Sequence, residues 1–377
     1  MKALLLSAYD AESHRLWREN LKAMFPLIQW TELILPARYF PWRVRGNSLS
    51  WAFNHRATLT DNQDFLLCTS MTDLSALRGF VPELARIPTA IYFHENQFAY
   101  PANPDPLALR ENPVEPQMLS IYSALCADHV VFNSTYNKET FLAGAQRLLA
   151  KLPDHVPSGL IARLQHASVI PVPLCEDVFA TSHTPQGSTE PDVLTIVWNH
   201  RHEFDKGPAL LLAIVQELVT RDVHFRLHLL GQRFRQSPAE FAQLEALLAA
   251  HCAATGVTPG HSGFVQDRAQ YRRIVSSADV VLSTALHDFQ GLSILEATAL
   301  GCTPLAPARL VYPEYLPSEC LYQGDGDITA QAASAVQTLL QWSRHKGAGI
   351  SLPRVDVTRF RQSALQAAYA DLFPSRR

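Results

Sequence analysis

The stretch Ala278-Asp279-Val280-Val281-Leu282-Ser283-Thr284-Ala285-Leu286-His287-Asp288-Phe289-Gln290-Gly291-Leu292-Ser293-Ile294-Leu295-Glu296 passes from an apolar run to a short polar loop, then to a helical pattern that Gly291 opens. A short unbroken apolar run suits a strand buried on both faces, as in a parallel sheet. Backbone N–H groups at a helix start attract phosphate, and a glycine there lets a ligand approach closely. Glu296 lies one turn further in, where a carboxylate can accept hydrogen bonds from both hydroxyls of a ribose. Read as strand, loop and helix, the segment predicts an α/β domain with a nucleotide site at the carboxyl end of its sheet.

Upstream, Ile196-Val197-Trp198-Asn199-His200-Arg201-His202-Glu203-Phe204-Asp205-Lys206-Gly207-Pro208 ends the first strand of the same domain. Arg201 and Lys206 flank a loop that leads into a helix. A leaving nucleoside diphosphate gains negative charge as its glycosidic bond breaks, and two cations there stabilise that charge without a metal. Taken singly, a glycine at a helix start is commonly a cap and an Arg–x4–Lys pair commonly a solvated loop. Their order within one domain favours a donor site.

The alternation extends over the whole chain. Apolar runs at 4–7, 65–68, 89–93, 129–132 and 168–170 read as parallel strands, with helical stretches such as 13–24 and 114–127 between them. Residues 176–192 hold Thr, Ser, His, Pro and Gly and read as a linker. Strands at 194–198, 223–230, 261–265, 280–283 and 303–306 then resume, with helices at 208–220 and 239–254. The expected organisation is two Rossmann-like domains, 1–175 and 193–355, facing across a cleft, with a helix in 356–377 crossing back to the first.

Composition narrows the class. The chain has 377 residues, 47% of them hydrophobic and 18% charged, which fits two globular domains. No apolar run is long enough to span a membrane, and the apolar start is too short for a signal peptide. The six cysteines form no CxxC pair or zinc-spaced cluster, so the expectation is reduced thiols, no metal and a cytoplasmic setting. A net charge of −3 requires any nucleic-acid contact to rest on a local patch. No obligate protein partner is evident.

Asp288-x7-Glu296 resembles the acidic-x7-Glu signature of retaining glycosyltransferases of the GT4 family, with Asp where Glu is usual. Arg201 and Lys206 have the spacing of the pair that balances the diphosphate in those enzymes. In the first half, Tyr92-Phe93-His94-Glu95-Asn96-Gln97-Phe98-Ala99-Tyr100-Pro101 is similar to the hallmark of a GT4-like group, the tRNA-queuosine mannosyltransferases. Ser13-His14-Arg15, Val131-Phe132-Asn133-Ser134, Pro153-Asp154-His155 and Val311-Tyr312-Pro313-Glu314 point the same way. The resemblance implies a GT-B fold and transfer of mannose from GDP-mannose to the cyclopentenediol of queuosine in the anticodon loop of an aspartate tRNA. Configuration is retained and neither metal nor cofactor takes part. It implies a catalytic set of His94, Arg201 and Lys206, in which His94 contacts the donor sugar and is not a general base. The expected donor-binding residues are His287, Asp288, Gly291, Leu292, Ser293 and Glu296. Those on the acceptor side are His14, Trp42, Arg43, Arg45, Asn96, Gln97 and Asn133. One departure is the loop Ala8-Tyr9-Asp10-Ala11-Glu12, which has no glycine where GT4 enzymes commonly have two.

From Leu33 to Thr60 there is no acidic residue, and arginines interleave with aromatics. That pattern suits phosphate contacts with stacking on splayed bases, or else ordinary core aromatics with a solvated arginine edge. On an extended segment Arg43 and Arg45 would point the same way. Gly231-Gln232-Arg233-Phe234-Arg235 is a second basic site, for donor phosphates or for RNA. Two rival readings stand beside a tRNA mannosyltransferase. One is a GT4-like transferase with another donor and a lipid or glycan acceptor. The other is a non-catalytic RNA-binding protein on a GT-B scaffold.

Overall fold

Strands covered on both faces need unbroken apolar runs, and the chain supplies two sets of them. The computed structural model describes residues 1–101, 114–153, 155–180, 190, 192–233 and 237–374. The chain divides into two units, residues 1–173 with 360–377, and residues 174–359.

The first unit runs β1 (Lys2–Asp10), α1 (Glu12–Met24), β2 (Gln29–Pro36), α2 (Phe40–Asn54), α3 (Arg56–Leu59), β3 (Phe65–Thr69) and α4 (Leu74–Phe80). It continues with β4 (Thr89–Phe93), α5 (Val114–Cys126), β5 (His129–Phe132), α6 (Thr135–Leu149), α7 (Leu160–Gln165) and β6 (Ser168–Val169). The sheet is parallel, in the order β2-β1-β3-β4-β5-β6. Ala3 to Leu6 on β1, and all of β3 and β4, are buried.

The second unit runs α8 (Glu176–Ala180), β7 (Leu194–Asn199), α9 (Pro208–Thr220), β8 (Phe225–Leu230), α10 (Glu240–Thr255), β9 (Ser262–Gly263) and α11 (Arg268–Ser276). Then come β10 (Val280–Leu282), α12 (Leu292–Ala299), β11 (Thr303–Pro307), β12 (Leu321–Tyr322) and α13 (Ile328–Gly347). Its parallel sheet has the order β12-β11-β10-β7-β8-β9, so the direction of winding reverses between β7 and β10. Among doubly wound sheets that reversal is where ligands bind.

After this unit, α14 (Gln362–Ala370) packs in the first one. The Trp17 indole donates to the Tyr369 hydroxyl at 3.0 Å, which in turn donates to Pro171 O at 2.9 Å and lies 3.2 Å from the Tyr92 hydroxyl. The Phe373 ring packs edge-on against Phe25 and Phe65.

Three local expectations change. Residues 29–36 form an edge strand that the apolar-run reading passes over, because Gln29, Thr31 and Glu32 interrupt it. Residues 40–54 are helical, so Arg43 and Arg45 stand about 200° apart around the axis and not on one side. The stretch read as a linker begins with helix α8, and residues 181–189 and 191 lie outside the described residues. The glycine-free loop is minimal: Ala11 alone separates β1 from α1. Asp10 is held there by Arg18 at 2.9 Å, and Arg18 also binds Glu32 at 2.6 Å.

Candidate active site

β7 and β10 pair in register, Ile196 with Val280, so the loops that come after them lie side by side. Side chains and main chain lock these loops together. The Thr284 hydroxyl accepts from the Trp198 indole at 3.0 Å and donates to Lys206 O at 2.7 Å. Asp205 O accepts from the Leu286 and His287 N–H groups at 2.8 and 3.2 Å. Gly207 has φ 66°, and a side chain there would strike Thr284 O. Glycine is the residue this close approach admits.

Lys206 is thereby fixed. Its Nζ donates to His287 O at 2.7 Å and lies 3.2 Å from Asp205 Oδ2. Arg201 is half exposed and pairs with Glu203 at 3.0 Å. His287 is buried, and burial, with Lys206 beside it, lowers its pKa to about 4. Burial lowers that of His200 to about 4 as well. Both imidazoles are therefore neutral near pH 7, leaving Lys206 and Arg201 as the cations of the two loops.

Gly291 sits at φ 70° as the N-cap of α12, and Asp288 Oδ1 accepts from its N–H at 3.0 Å. Asp288 Oδ2 accepts from the Tyr312 hydroxyl at 2.9 Å, and that hydroxyl lies 2.7 Å from Ser283 Oγ. Burial alone would raise the Asp288 pKa, but Lys206 and the Tyr312 hydroxyl hold it below the usual carboxylate range. Leu292 and Ser293 form the first turn of α12, whose N–H groups have no partner within the helix. Ser293 Oγ lies 3.3 Å from His200 Nδ1, and Asn199 donates to Ser293 O at 3.1 Å. Glu296 is largely buried, 3.8 Å from Arg268. The structure thus gathers Lys206, His287, Asp288, Gly291 and Ser293, and adds Asp205, Thr284 and Tyr312, which sequence reasoning missed. Asp205 had a signal, an acid beside the lysine. Tyr312 lies 24 positions beyond Asp288, and only the fold joins them. Of the second basic site, Arg233 pairs with Glu245; Phe234 and Arg235 lie outside the described residues.

In the first unit, His94 directly follows β4 and is buried, with neither ring nitrogen hydrogen-bonded among the described residues. Its ring lies tilted against His14 at 4.0 Å and meets Trp17 edge-on at 4.9 Å. His14 Nδ1 lies 2.6 Å from Tyr9 O. A carbonyl only accepts, so Nδ1 carries the proton and Nε2 keeps its lone pair. Burial lowers the pKa of His14 to about 4, and that of His94 well below its ordinary value.

Other acceptor-side expectations change. Asn96 is buried, its amide donating to Asn137 O, Asn137 Oδ1 and Thr140 Oγ1, and its oxygen accepting from the Phe98 and Ala99 N–H groups. Asn133 donates to His94 O and accepts from Asn137. Both amides are hydrogen-bonded within the fold, and Asn133 supports the His94 main chain. Gln97 contacts Met71 Sδ at 3.8 Å. Arg43 is buried and donates to Pro36 O at 3.3 Å. Arg45 is exposed but paired with Asp73 at 2.9 Å and Glu115 at 3.2 Å. Trp42 is 54% exposed.

Two doubly wound parallel units, one with a glycine-opened helix start and a largely buried lysine at its switch point, are the parts of a GT-B glycosyltransferase. Solved structures agree on the fold. The sucrose-phosphate synthase of Thermosynechococcus elongatus superposes with a TM-score of 0.67 at 15% identity, over 99% of this chain and 98% of that one. The OtsA apo structure does so with a TM-score of 0.65 at 14% identity, over 100% of both chains. A sequence model of the family described as tRNA-queuosine alpha-mannosyltransferase N-terminal matches residues 2–174. A tRNA-queuosine alpha-mannosyltransferase of Drosophila melanogaster is 32% identical over 306 residues, covering 78% of this chain and 76% of that protein. The chain belongs to the tRNA-queuosine alpha-mannosyltransferase family.

Proposed function

We propose that this chain transfers mannose from GDP-mannose to the cyclopentenediol of queuosine in the anticodon loop of an aspartate tRNA, with retention of configuration. The observation that carries the donor half is the fixed Lys206 ammonium, held by His287 O at 2.7 Å beside the Gly291 start of α12. A diphosphate on that helix start gains charge as the sugar leaves. Lys206 and Arg201 neutralise it with no metal ion, and the N–H groups of Leu292 and Ser293 share the load. Glu296 binds the ribose hydroxyls, and Asp288 with His287 lines the sugar. The leaving phosphate oxygen takes the acceptor proton, which fits the weak basicity of the buried rings: burial lowers the pKa of His14 and His287 to about 4 and that of His94 well below its ordinary value. His94 contacts the sugar through a ring nitrogen that the fold leaves without a hydrogen bond.

The test is mass spectrometry of nucleosides from queuosine-containing tRNA incubated with the protein and GDP-mannose, UDP-glucose or UDP-galactose, with and without EDTA. The expected result is a hexose mass increment on queuosine with GDP-mannose alone, unchanged by EDTA. A product with a UDP sugar only would replace the donor, and loss of activity restored by Mn²⁺ would overturn the metal-free reading.

A further inference from the structure

Tyr39 and Trp42 are exposed, yet the backbone is arranged around them. Tyr39 has φ 55° and ψ 55°, the left-handed region that an aromatic residue enters only at a cost. It is 74% exposed, so burial of its own ring does not repay that cost. One turn on, the Trp42 indole covers Gly46. A Cβ built on Gly46 would lie 2.6 Å from Trp42 Cζ2 and 2.7 Å from Cδ2, with Cε2 nearer still. Near-equal approach to three atoms around the ring fusion places the ring face, not its edge, over the glycine. Helical Cα–Cβ bonds tilt toward the N-terminus, so any side chain at 46 would push the ring off. The glycine, itself unfavourable inside a helix, lets the indole lie on the backbone with its other face outward.

The position matters as much as the shape. Pro36, at the end of β2, pairs with Asp10 at the end of β1, and Phe40 packs edge-on against Tyr9 at 5.7 Å. The two rings therefore stand at the carboxyl end of this sheet, the ligand-binding end of such folds. Arg38 beside them is exposed, and no Asp or Glu occurs from Leu33 to Thr60. Arg43 is buried and Arg45 and Arg56 are ion-paired, so Arg38 supplies the cation, and flat aromatic faces beside it complement an unpaired, polyanionic strand.

We infer that Trp42, laid on Gly46 and flanked by Tyr39 and Arg38, is a stacking platform for an unpaired nucleotide of the RNA acceptor. This rests on the reading that the acceptor is RNA and assigns the stacking to residues other than those given to the sugar chemistry. The platform is indifferent to base identity, because every base has a π face, and acts on RNA affinity alone.

Binding of an anticodon stem-loop RNA to wild type, Trp42→Ala, Trp42→Phe and Gly46→Val tests it. Trp42→Ala is expected to weaken binding by about tenfold or more. Trp42→Phe restores most of the affinity, and Gly46→Val reproduces the loss without touching the ring's chemistry. Affinity for GDP-mannose, measured without RNA, stays the same in all four. Trp17, Trp51, Trp198 and Trp342 are at most 3% exposed and Trp30 is half-buried, so Trp42 is the most exposed of the six tryptophans and contributes most to the emission that acrylamide can quench. The stem-loop is expected to protect that emission in wild type and to have much less effect in Trp42→Phe. RNA affinity in Trp42→Ala within twofold of wild type overturns the platform. So does protection by anionic lipid vesicles with none by RNA. If wild type neither binds nor glycosylates tRNA, the acceptor assignment itself fails; if it does both and Trp42→Ala matches it, only the platform fails.

Discussion

The carboxyl ends of the two sheets are built from different chemistry. In the second unit, two loops carry full charges that the main chain fixes in place: Lys206 on His287 O, and Asp288 on Gly291 N–H and the Tyr312 hydroxyl. In the first, the charges near the end of β1 cancel among Asp10, Arg18, Glu32 and Lys22, and neutral rings are left: His14, His94, Tyr39 and Trp42. A diphosphate is a fixed charge that rewards preset cations and N–H donors. A nucleoside is planar and rich in hydroxyls, and rewards neutral hydrogen-bonding groups and flat faces. The same fold supplies either kind of surface by exchanging the loops at its strand ends.

The strongest way to break this contrast is Lys206→Ala. One lost transition-state contact is worth about 3 kcal/mol, so kcat is expected to fall at least about a hundredfold. Single-turnover kinetics at saturating donor reads it, and a near-normal rate would show that the second unit does not work by preset charge. Next comes Tyr312→Phe, which removes one hydrogen bond from a buried carboxylate. A fall in kcat/KM of about tenfold is expected, as for a bond to a charged group. No change would mean that the helix cap alone orients Asp288.

Glu296→Gln sharpens the contrast further. Ribose contacts exist in ground and transition states alike, so KM for the donor should rise severalfold while kcat holds. A large fall in kcat at unchanged KM would move Glu296 from binding into the chemistry.

The smallest effect at neutral pH concerns the rings. Burial lowers the pKa of His14 in the first unit and of His287 in the second to about 4, against an unfolded value near 6.5. Between those values the unfolded chain binds more protons than the folded one. The neutral rings' stability is thus fully present above about pH 6.5 and is lost as pH falls toward 4. Calorimetry at pH 5 should show proton uptake on unfolding, reduced by about one proton in His14→Gln and again in His287→Asn. Equal uptake in wild type and variants would mean that these rings already titrate normally in the fold.

The legible parts of the sequence were those whose chemistry is local. The apolar runs of β3, β4, β7 and β10 are fully buried, and run length alone marks such strands. Arg201 with Lys206, and Asp288 with Glu296, each lie within nine residues, so spacing alone picks them out as candidates. The α2 helix stayed hidden because Pro41, Gly46 and several aromatics lower its helix propensity, and its packing against α4 and β1 comes from the tertiary fold. Asn96 looked like a ligand group because four polar residues in a row succeed a strand. What turns it inward is Asn137, forty-one positions away.

The seating of α14 also sets a timetable. The Trp17 indole and the Tyr92 hydroxyl find Tyr369 only when the chain has been made more than 270 residues past Tyr92. During synthesis the first unit must wait, with Phe25 and Phe65 uncovered on the side that Phe373 closes, while the second unit is completed as an uninterrupted stretch of chain. The unit that starts first therefore finishes last, and a chain cut short before residue 360 lacks the Tyr369 and Phe373 contacts that complete the first unit.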